Sequence, residues 1–287
     1  MSTVQLAVLI TCHNRKDLTL ACLRKLISQT GIDVVRIQAY LVDAGSTDGT
    51  VEAIEKHFPN VRLIRRDSSL FWCGGMQVAF NEAMKGNHDY YLWLNDDTIL
   101  FQNAIQTLLE TAHELRQKEA KAGIIVGSTR DPKTGQCTYG GIVRRSRWRP
   151  LAYRLLEPSG KPQQCHTMHG NCVLIAREVV EVLGGLCPEF THFLGDIDYG
   201  LRASAKGIPL WIASTYIGEC SVNPPTPWVD PEVPLRKRLA VLYSPKGLAP
   251  REWLVFIRHH AGIYWPIYFL TLYMRVVFPG LWRLFGK

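Results

Sequence analysis

Residues 90–98 read Tyr-Tyr-Leu-Trp-Leu-Asn-Asp-Asp-Thr, an apolar and aromatic run that stops directly on Asn95, Asp96 and Asp97. A run so short and so apolar fits a strand covered on both faces, as in a parallel sheet between helices. Outward from it, β-rich runs at 4–11, 36–43 and 61–66 alternate with helical stretches near 17–29, 48–57, 75–86 and 101–118. That alternation predicts an α/β chain with a mostly parallel sheet flanked by helices. In such sheets a ligand lies beyond the carboxyl ends of the strands. The residues there are Thr11-Cys12-His13-Asn14-Arg15, Asp43-Ala44-Gly45-Ser46 and Asn95-Asp96-Asp97.

Further along, the pattern predicts a strand at 122–127, a Gly- and Arg-rich hairpin around Gly140 and Gly141, and a buried strand at 173–176. Helices are expected over 177–183 and 196–206, the second stopped by Gly207. Prolines crowd residues 224–234, where neither helix nor central strand persists, and mark a boundary.

Hydrophobic residues make up 47% of the 287 and charged ones 20%, which excludes a disordered chain and a polytopic membrane protein. The first ten residues have no basic segment before their apolar run, so no secretory signal is expected. The eight cysteines form no CxxC pair and read as reduced thiols rather than a zinc site. A net charge of +8 calls for an anionic partner. With no zinc finger or RNA-recognition signature, nucleic acid fits less well than a phosphate-bearing ligand or an anionic membrane.

Three carboxylate groups carry the chemistry. Asp96 and Asp97 repel one another at a strand end, and a hard divalent cation that also binds phosphate oxygens relieves that repulsion; a helix N-cap is the alternative. Asp43 ends a strand before small residues, either to accept from a pyrimidine imide or simply to form a turn capped by Ser46 or Thr47. In FLGDIDYGLRASAKG, Asp198 and Arg202 stand one helical turn apart and can pair. Asp196 is left as a general base.

In this order the three groups resemble the inverting nucleotide-sugar transferases of glycosyltransferase family 2, whose fold is of the GT-A type, over about residues 4–222. The resemblance implies that Thr11, His13, Asn14 and Arg15 lie by the nucleotide and that Asp43, with Gly45 and Ser46, holds a uracil or thymine. NDD occupies the place of the DxD motif, with Asp97 as ligand of Mg2+ or Mn2+ and Asn95 and Asp96 near the ribose and diphosphate. GDID resembles the ED motif, which makes Asp196 the base and gives Asp198 and Arg202 supporting roles. The segment 70–84 is similar to the helix beside the donor, with Trp72, Gly74, Gly75 and Asn81. Two positions depart from the pattern: Asn95 replaces the leading aspartate of DxD, and Gly195 the glutamate before the base. Many relatives have a histidine after the strand that follows, and STYIGECS has none, so His166 and His169 are the substitutes to consider. The FWCGG stretch is similar to bacterial rhamnosyltransferases of surface polysaccharide synthesis, including O-antigen, and favours dTDP-rhamnose over a UDP-sugar.

Arg144, Arg145, Arg147 and Arg149, with Gly170 and Asn171, fall where the family binds its acceptor, and guanidinium groups suit a diphosphate linking glycan to lipid. Residues 253–287 are aromatic and free of acidic side chains, with an uncharged stretch of 14 residues at 261–274. That is well short of the roughly 20 needed to span a bilayer. It reads as an amphipathic segment on an anionic leaflet, the alternative being a helix packed on the core or on a second copy in a homodimer. The expected organisation is a catalytic domain at 1–222, with a donor half to about 128 and an acceptor half from 129. A Pro-rich connection and helix follow at 223–252, then the membrane-associating segment, all at the cytoplasmic face of a plasma membrane. Without a GxGxxG after any strand the chain is no dehydrogenase. A sugar nucleotidyltransferase lacks support because TCHNR has no glycine. A catalytically silent sugar-nucleotide-binding or membrane-docking protein remains the other alternative.

Overall fold

A computed structural model describes residues 3–146, 148–224 and 226–280. The first half runs β1 (Val4–Cys12), α1 (Lys16–Ile27), β2 (Val35–Ala44), α2 (Thr50–His57), β3 (Arg62–Arg66), α3 (Phe71–Ala83) and β4 (Tyr90–Leu94). A two-residue β5 (Ile99–Leu100) leads into α4 (Ala104–Glu119) and β6 (Ile124–Arg130). The middle holds β7 (Cys137–Tyr139), β8 (Gly141–Ser146), β9 (Arg149–Leu155), β10 (Gln163–Gln164), β11 (Thr167–Met168) and β12 (Cys172–Ala176). Then follow α5 (Arg177–Leu183), α6 (Gly195–Ala205), β13 (Leu210–Glu219), α7 (Leu235–Leu242), α8 (Pro250–His260) and α9 (Trp265–Val277).

The main sheet runs β10-β13-β6-β12-β4-β1-β2-β3. β1 pairs in parallel with β2 on one side and β4 on the other, and β2 in parallel with β3. β12 lies antiparallel between β4 and β6, while β13 is parallel to β6. Chain order therefore reverses between β1 and β4, and the crevice opens where their carboxyl ends diverge.

The alternation along each strand builds two cores. Leu6, Val8, Ile10, Leu92 and Leu94 meet Leu23 of α1, Ile54 of α2 and Leu108 of α4 on one face. Ala7, Leu9, Tyr91 and Trp93 meet Met76 and Phe80 of α3, Val179 of α5 and Tyr199 of α6 on the other. Side chains of period two thus explain why these strands read as unbroken apolar runs. Six of the eight cysteines, Cys12, Cys22, Cys73, Cys165, Cys172 and Cys220, are buried, and all eight are free thiols.

One boundary differs from the sequence expectation. α3 starts at Phe71, four residues before the expected 75, so Gly74 lies inside the helix rather than ahead of it and Gly75 lies within its second turn. A Cβ on Gly75 would sit 2.1 Å from the Thr11 hydroxyl oxygen, so the glycine is what lets α3 lie on β1. The Gly- and Arg-rich region is a full antiparallel pair, β8 with β9, joined by β11 into a separate three-stranded sheet.

That small sheet, α6 and the C-terminal helices share a third apolar cluster. Leu151 and Tyr153 of β9, Leu201 of α6, and Phe256 and Ile257 of α8 pack together with Phe190. The outer side of α9 is different: Ile263 before it, Ile267, Leu270, Met274 and Val277 are exposed at helical spacing, and Phe278 follows. No described helix is long and apolar enough to cross a membrane.

Candidate active site

β1, β2 and β4 end side by side, in the register Cys12 opposite Asp43 and Leu9 opposite Trp93. Asp43 is buried; its Oδ2 accepts from the Ser46 amide at 3.0 Å and the Cys12 thiol points at its Oδ1. Gly45 turns the chain with φ of 72°, a left-handed conformation that glycine adopts freely. His13 Nδ1–H donates to the Ala44 carbonyl at 2.7 Å, and Asn14 links the same two loops by donating to Ser46 Oγ and accepting from the Thr47 amide. Ser46 and Thr47 therefore tie strand ends together. The amide of Thr50, the first residue of α2, is met by Asp48 instead. These contacts tie the ends of β1 and β2 to one another.

At the end of β4, Arg15 Nη1 donates to Asp96 Oδ1 at 3.0 Å and to Asp97 Oδ2 at 2.8 Å. Burial pushes the Asp96 carboxyl up to about 6; Arg15 opposes that and the neighbouring Asp97 charge adds to it. Thr19 also donates to Asp96, at 3.4 Å. Paired carboxylates that draw a guanidinium between them have the oxygen donors and the charge that Mg2+ or Mn2+ takes, so the residues fit a divalent cation. Asp97 is the more accessible of the two, and its Oδ1 faces the Cys220 thiol at 3.6 Å.

Asn95 and Trp72 join this half of the site to the other. The Asn95 amide donates to the Asn171 carbonyl at 2.9 Å, and its side-chain Oδ1 accepts from Trp72 Nε1 at 2.7 Å. Trp72 in turn lies against Gly170, where a Cβ would be 2.6 Å from the indole and 3.1 Å from Asp196 Cβ. The Gly170 amide donates to Asp196 Oδ2 at 2.8 Å, and Oδ1 accepts from the Ile197 amide at 2.8 Å. Burial raises the Asp196 carboxyl above its ordinary range, against the pull of His169 beside it and of those amides. A carboxylate held by two amides, with lone pairs to spare and raised proton affinity, is suited to accept a proton.

Three residues in left-handed backbone conformations that are not glycine flank these loops: Asn14, Phe71 and Leu194. Strain of this kind persists where the surroundings fix it, and here it falls on the segments that deliver Arg15, Trp72 and Asp196.

Not every expected residue joins the site. Asn81 is exposed, near Gly185, and lies about 13 Å along α3 from Trp72 at 1.5 Å per residue. Gly74 packs on Leu70, and Thr11 spends its side chain against Gly75. His166 is exposed and its Nδ1 accepts from the Arg144 amide; His169 Nδ1 accepts from the Gly140 amide and its ring meets Tyr139 edge-on. Both rings thus serve the β8 region, and His169 faces Asp196. Arg144, Arg145 and Arg149 are exposed on the β8–β9 pair, whereas Arg147 falls outside the described residues. Among the described residues, the one group of three His, Cys, Asp or Glu side chains with ligand atoms within 4.8 Å of one another is Asp198, His259 and His260. Asp198 there already accepts from Arg202 Nε at 2.7 Å and from His260 Nε2 at 2.8 Å.

Some contributors had no sequence signal. Cys220 follows a strand without any motif. His192 accepts from the Trp72 amide at 3.4 Å, and burial holds its ring down to about 4, so it stays neutral. Gly195 has a packing reason, since a Cβ would sit 2.6 Å from the Cys73 sulfur. A larger residue does not fit there while α3 lies where it does.

A mainly parallel sheet with carboxylates beyond its central strands, and a further one on a facing helix, defines an α/β nucleotide-binding fold of the GT-A type. Residues 7–184 match Glycosyl transferase family 2, and the chain belongs to that family. It is 27% identical over 216 residues to an N-acetylglucosaminyl-diphospho-decaprenol L-rhamnosyltransferase of Mycobacterium tuberculosis, over 65% of this chain and 66% of that one. The matched stretch thus leaves about a third of the relative's length uncovered. Among solved structures, S. aureus TarS in complex with UDP matches with a TM-score of 0.56 at 11% identity, over 89% of this chain and 70% of that one. A mannosyltransferase of Pyrobaculum calidifontis in complex with GDP-Man and Mn2+ matches with a TM-score of 0.51 at 18% identity, over 88% and 64%. These two likenesses concern the fold.

Proposed function

We propose that the chain is a metal-dependent inverting glycosyltransferase that moves a sugar from a pyrimidine nucleotide diphosphate, dTDP-rhamnose or a UDP-sugar, to a lipid-linked glycan in bacterial surface polysaccharide synthesis. The observation that carries this reading is the unbroken chain of contacts from Asp97 and Asp96 through Asn95, Trp72 and Gly170 to Asp196. It links the paired carboxylates Asp96 and Asp97 to the Asp196 carboxylate, which supports a cation role for the first two and a proton-accepting role for the third. The buried Asp43 suits a pyrimidine imide donor, and the mycobacterial relative bears the name of a rhamnosyltransferase with a lipid-diphosphate acceptor.

In the reaction, Asp196 removes the proton from an acceptor hydroxyl as that oxygen forms a bond to the anomeric carbon. The carbon–oxygen bond to the nucleotide diphosphate breaks on the opposite side, and configuration inverts. Asp97, supported by Asp96, would hold Mg2+ or Mn2+, which neutralises charge on the leaving diphosphate. Arg15, which bridges Asp96 and Asp97, would bind the same phosphates. Arg144, Arg145 and Arg149 supply a basic rim for an acceptor diphosphate. The domain division follows from this assignment: residues 1–222 carry the chemistry, 223–252 connect, and 253–287 attach the enzyme to the cytoplasmic face of an anionic membrane. The exposed stripe on α9 and the acid-free tail support that attachment.

A panel of sugar nucleotides incubated with the protein, with and without Mn2+, tests the reading by free nucleotide diphosphate released. Release from dTDP- or UDP-sugars that requires the metal is expected. Tight binding of a purine sugar nucleotide instead would overturn the pyrimidine assignment, and donor binding without any transfer to lipid-linked acceptors would favour the silent binding protein.

A further inference from the structure

We propose that His260, at the end of α8, is a positioning residue for the base Asp196 and acts through Asp198, so that the C-terminal helices belong to the catalytic apparatus. The inference deepens the transferase reading, since it rests on Asp196 as the base.

Asp196 and Asp198 share the first turn of α6, and that turn is weakly held by its own sequence. No side chain caps it, Leu194 before it has φ of 72°, and Gly195 contributes no side chain. Such a start persists only where other elements fix it. Thr167 Oγ1 donates to the Ile197 carbonyl and the Gly170 amide to Asp196, and a further hold comes from Asp198, wholly buried, whose amide donates to the Leu194 carbonyl at 2.7 Å. One of its carboxylate oxygens accepts from Arg202 Nε and the other from His260 Nε2 at 2.8 Å. Burial alone would raise the Asp198 carboxyl; His260 and Arg202 outweigh it and hold the group below its ordinary range. The carboxylate therefore stays charged, and it is the anchor to which both partners are tied.

The histidine is supplied from 62 residues away in sequence by a helix that also packs on the same segment. Phe256 tilts against the His260 ring at 4.9 Å and meets Phe190 at 6.3 Å. Glu252, at the other end of α8, accepts from the Thr191 amide at 3.2 Å in the loop that leads to Leu194. α8 thus grips both the approach to the base and the turn that bears it. With His260 removed, half of the Asp198 anchor is lost, and the first turn of α6 can shift while Arg15 still holds Asp96 and Asp97 at the β4 end. A displacement of the base by about 1 Å is enough to cost roughly a hundred-fold in rate.

The test compares His260→Gln, which keeps an N–H donor, with His260→Leu, which keeps volume and loses the donor. At saturating donor and acceptor, His260→Leu should lower kcat by roughly ten- to a hundred-fold. His260→Gln should recover most of that loss, and the Kd for the nucleotide diphosphate with Mn2+ should change less than twofold in both. If His260→Leu does not fold, His260→Asn, too short to reach, takes its place against Gln. Amide hydrogen exchange over residues 196–199 gives a readout independent of turnover and should speed up in the Leu variant alone. Equal kcat and equal exchange in all variants, or a parallel loss of kcat and nucleotide binding, overturns the proposal. If the unaltered protein transfers no sugar, the transferase reading falls while the exchange result still decides whether His260 holds the turn.

Discussion

At the residue scale, three of the site's carboxylates stand in three electrostatic settings. Asp43 accepts local hydrogen bonds at a strand end, Asp96 is buried beside Arg15, and Asp196 is raised by burial. The raised carboxyl predicts the acid side of the pH profile. A base works only when deprotonated, so kcat should fall as pH drops through a value above the roughly 3.9 of a free aspartate. An acid midpoint at or below 4, measured at saturating donor and acceptor, would remove Asp196 from that role. Asp196→Asn should lower kcat by roughly a hundred- to ten-thousand-fold, with nucleotide affinity nearly intact by calorimetry. Full activity in that variant would sink the mechanism.

At the element scale, α3 lies on β1 because Gly75 has no side chain, with the Thr11 hydroxyl only 2.1 Å from where a Cβ would be. Gly75→Ala should therefore cost about 1–3 kcal/mol of stability by overpacking, seen as a lower denaturant midpoint. An unchanged midpoint would mean that the helix shifts freely. The same contact shows what sequence could tell. The β1, β2 and β4 runs were legible because burial on both faces makes them continuous and apolar, and their polar ends named Arg15, Asp43, Asp96 and Asp97 directly. The start of α3 was not, since nothing in the run itself tells that Gly75 lies against Thr11. Asn81 is named a donor residue only by the family resemblance of its segment, and helix rise puts it about 13 Å along α3 from Trp72. His166 and His169 met the chemistry of a ligand, and only the β8 backbone reveals what holds their rings. Asp198 and Arg202 were visible as neighbours one turn apart, whereas His260, distant in sequence, was not.

At the scale of the whole molecule, a net charge of +8 and an acid-free tail combine with the exposed row of Ile267, Leu270 and Met274 on α9. Apolar area and basic charge together give attachment that is firm and reversible. Replacing those three residues by serine should abolish sedimentation with anionic vesicles at physiological salt and spare nucleotide binding. Failure of the intact protein to bind such vesicles at any salt would instead assign the row to a helix pair between two copies, which equilibrium sedimentation would show. The six buried cysteines have a consequence for how the molecule ages and how its opening can be timed. Cys12, Cys22 and Cys172 lie in the layer with α1, Cys165 in the layer with Tyr199, and Cys73 in the cluster beneath α8. Each thiol is shielded from oxidants and alkylating reagents until its own layer breathes, so modification rates read out the order in which the layers loosen. The protein carries a set of internal stopwatches, one for each place where its packing gives way.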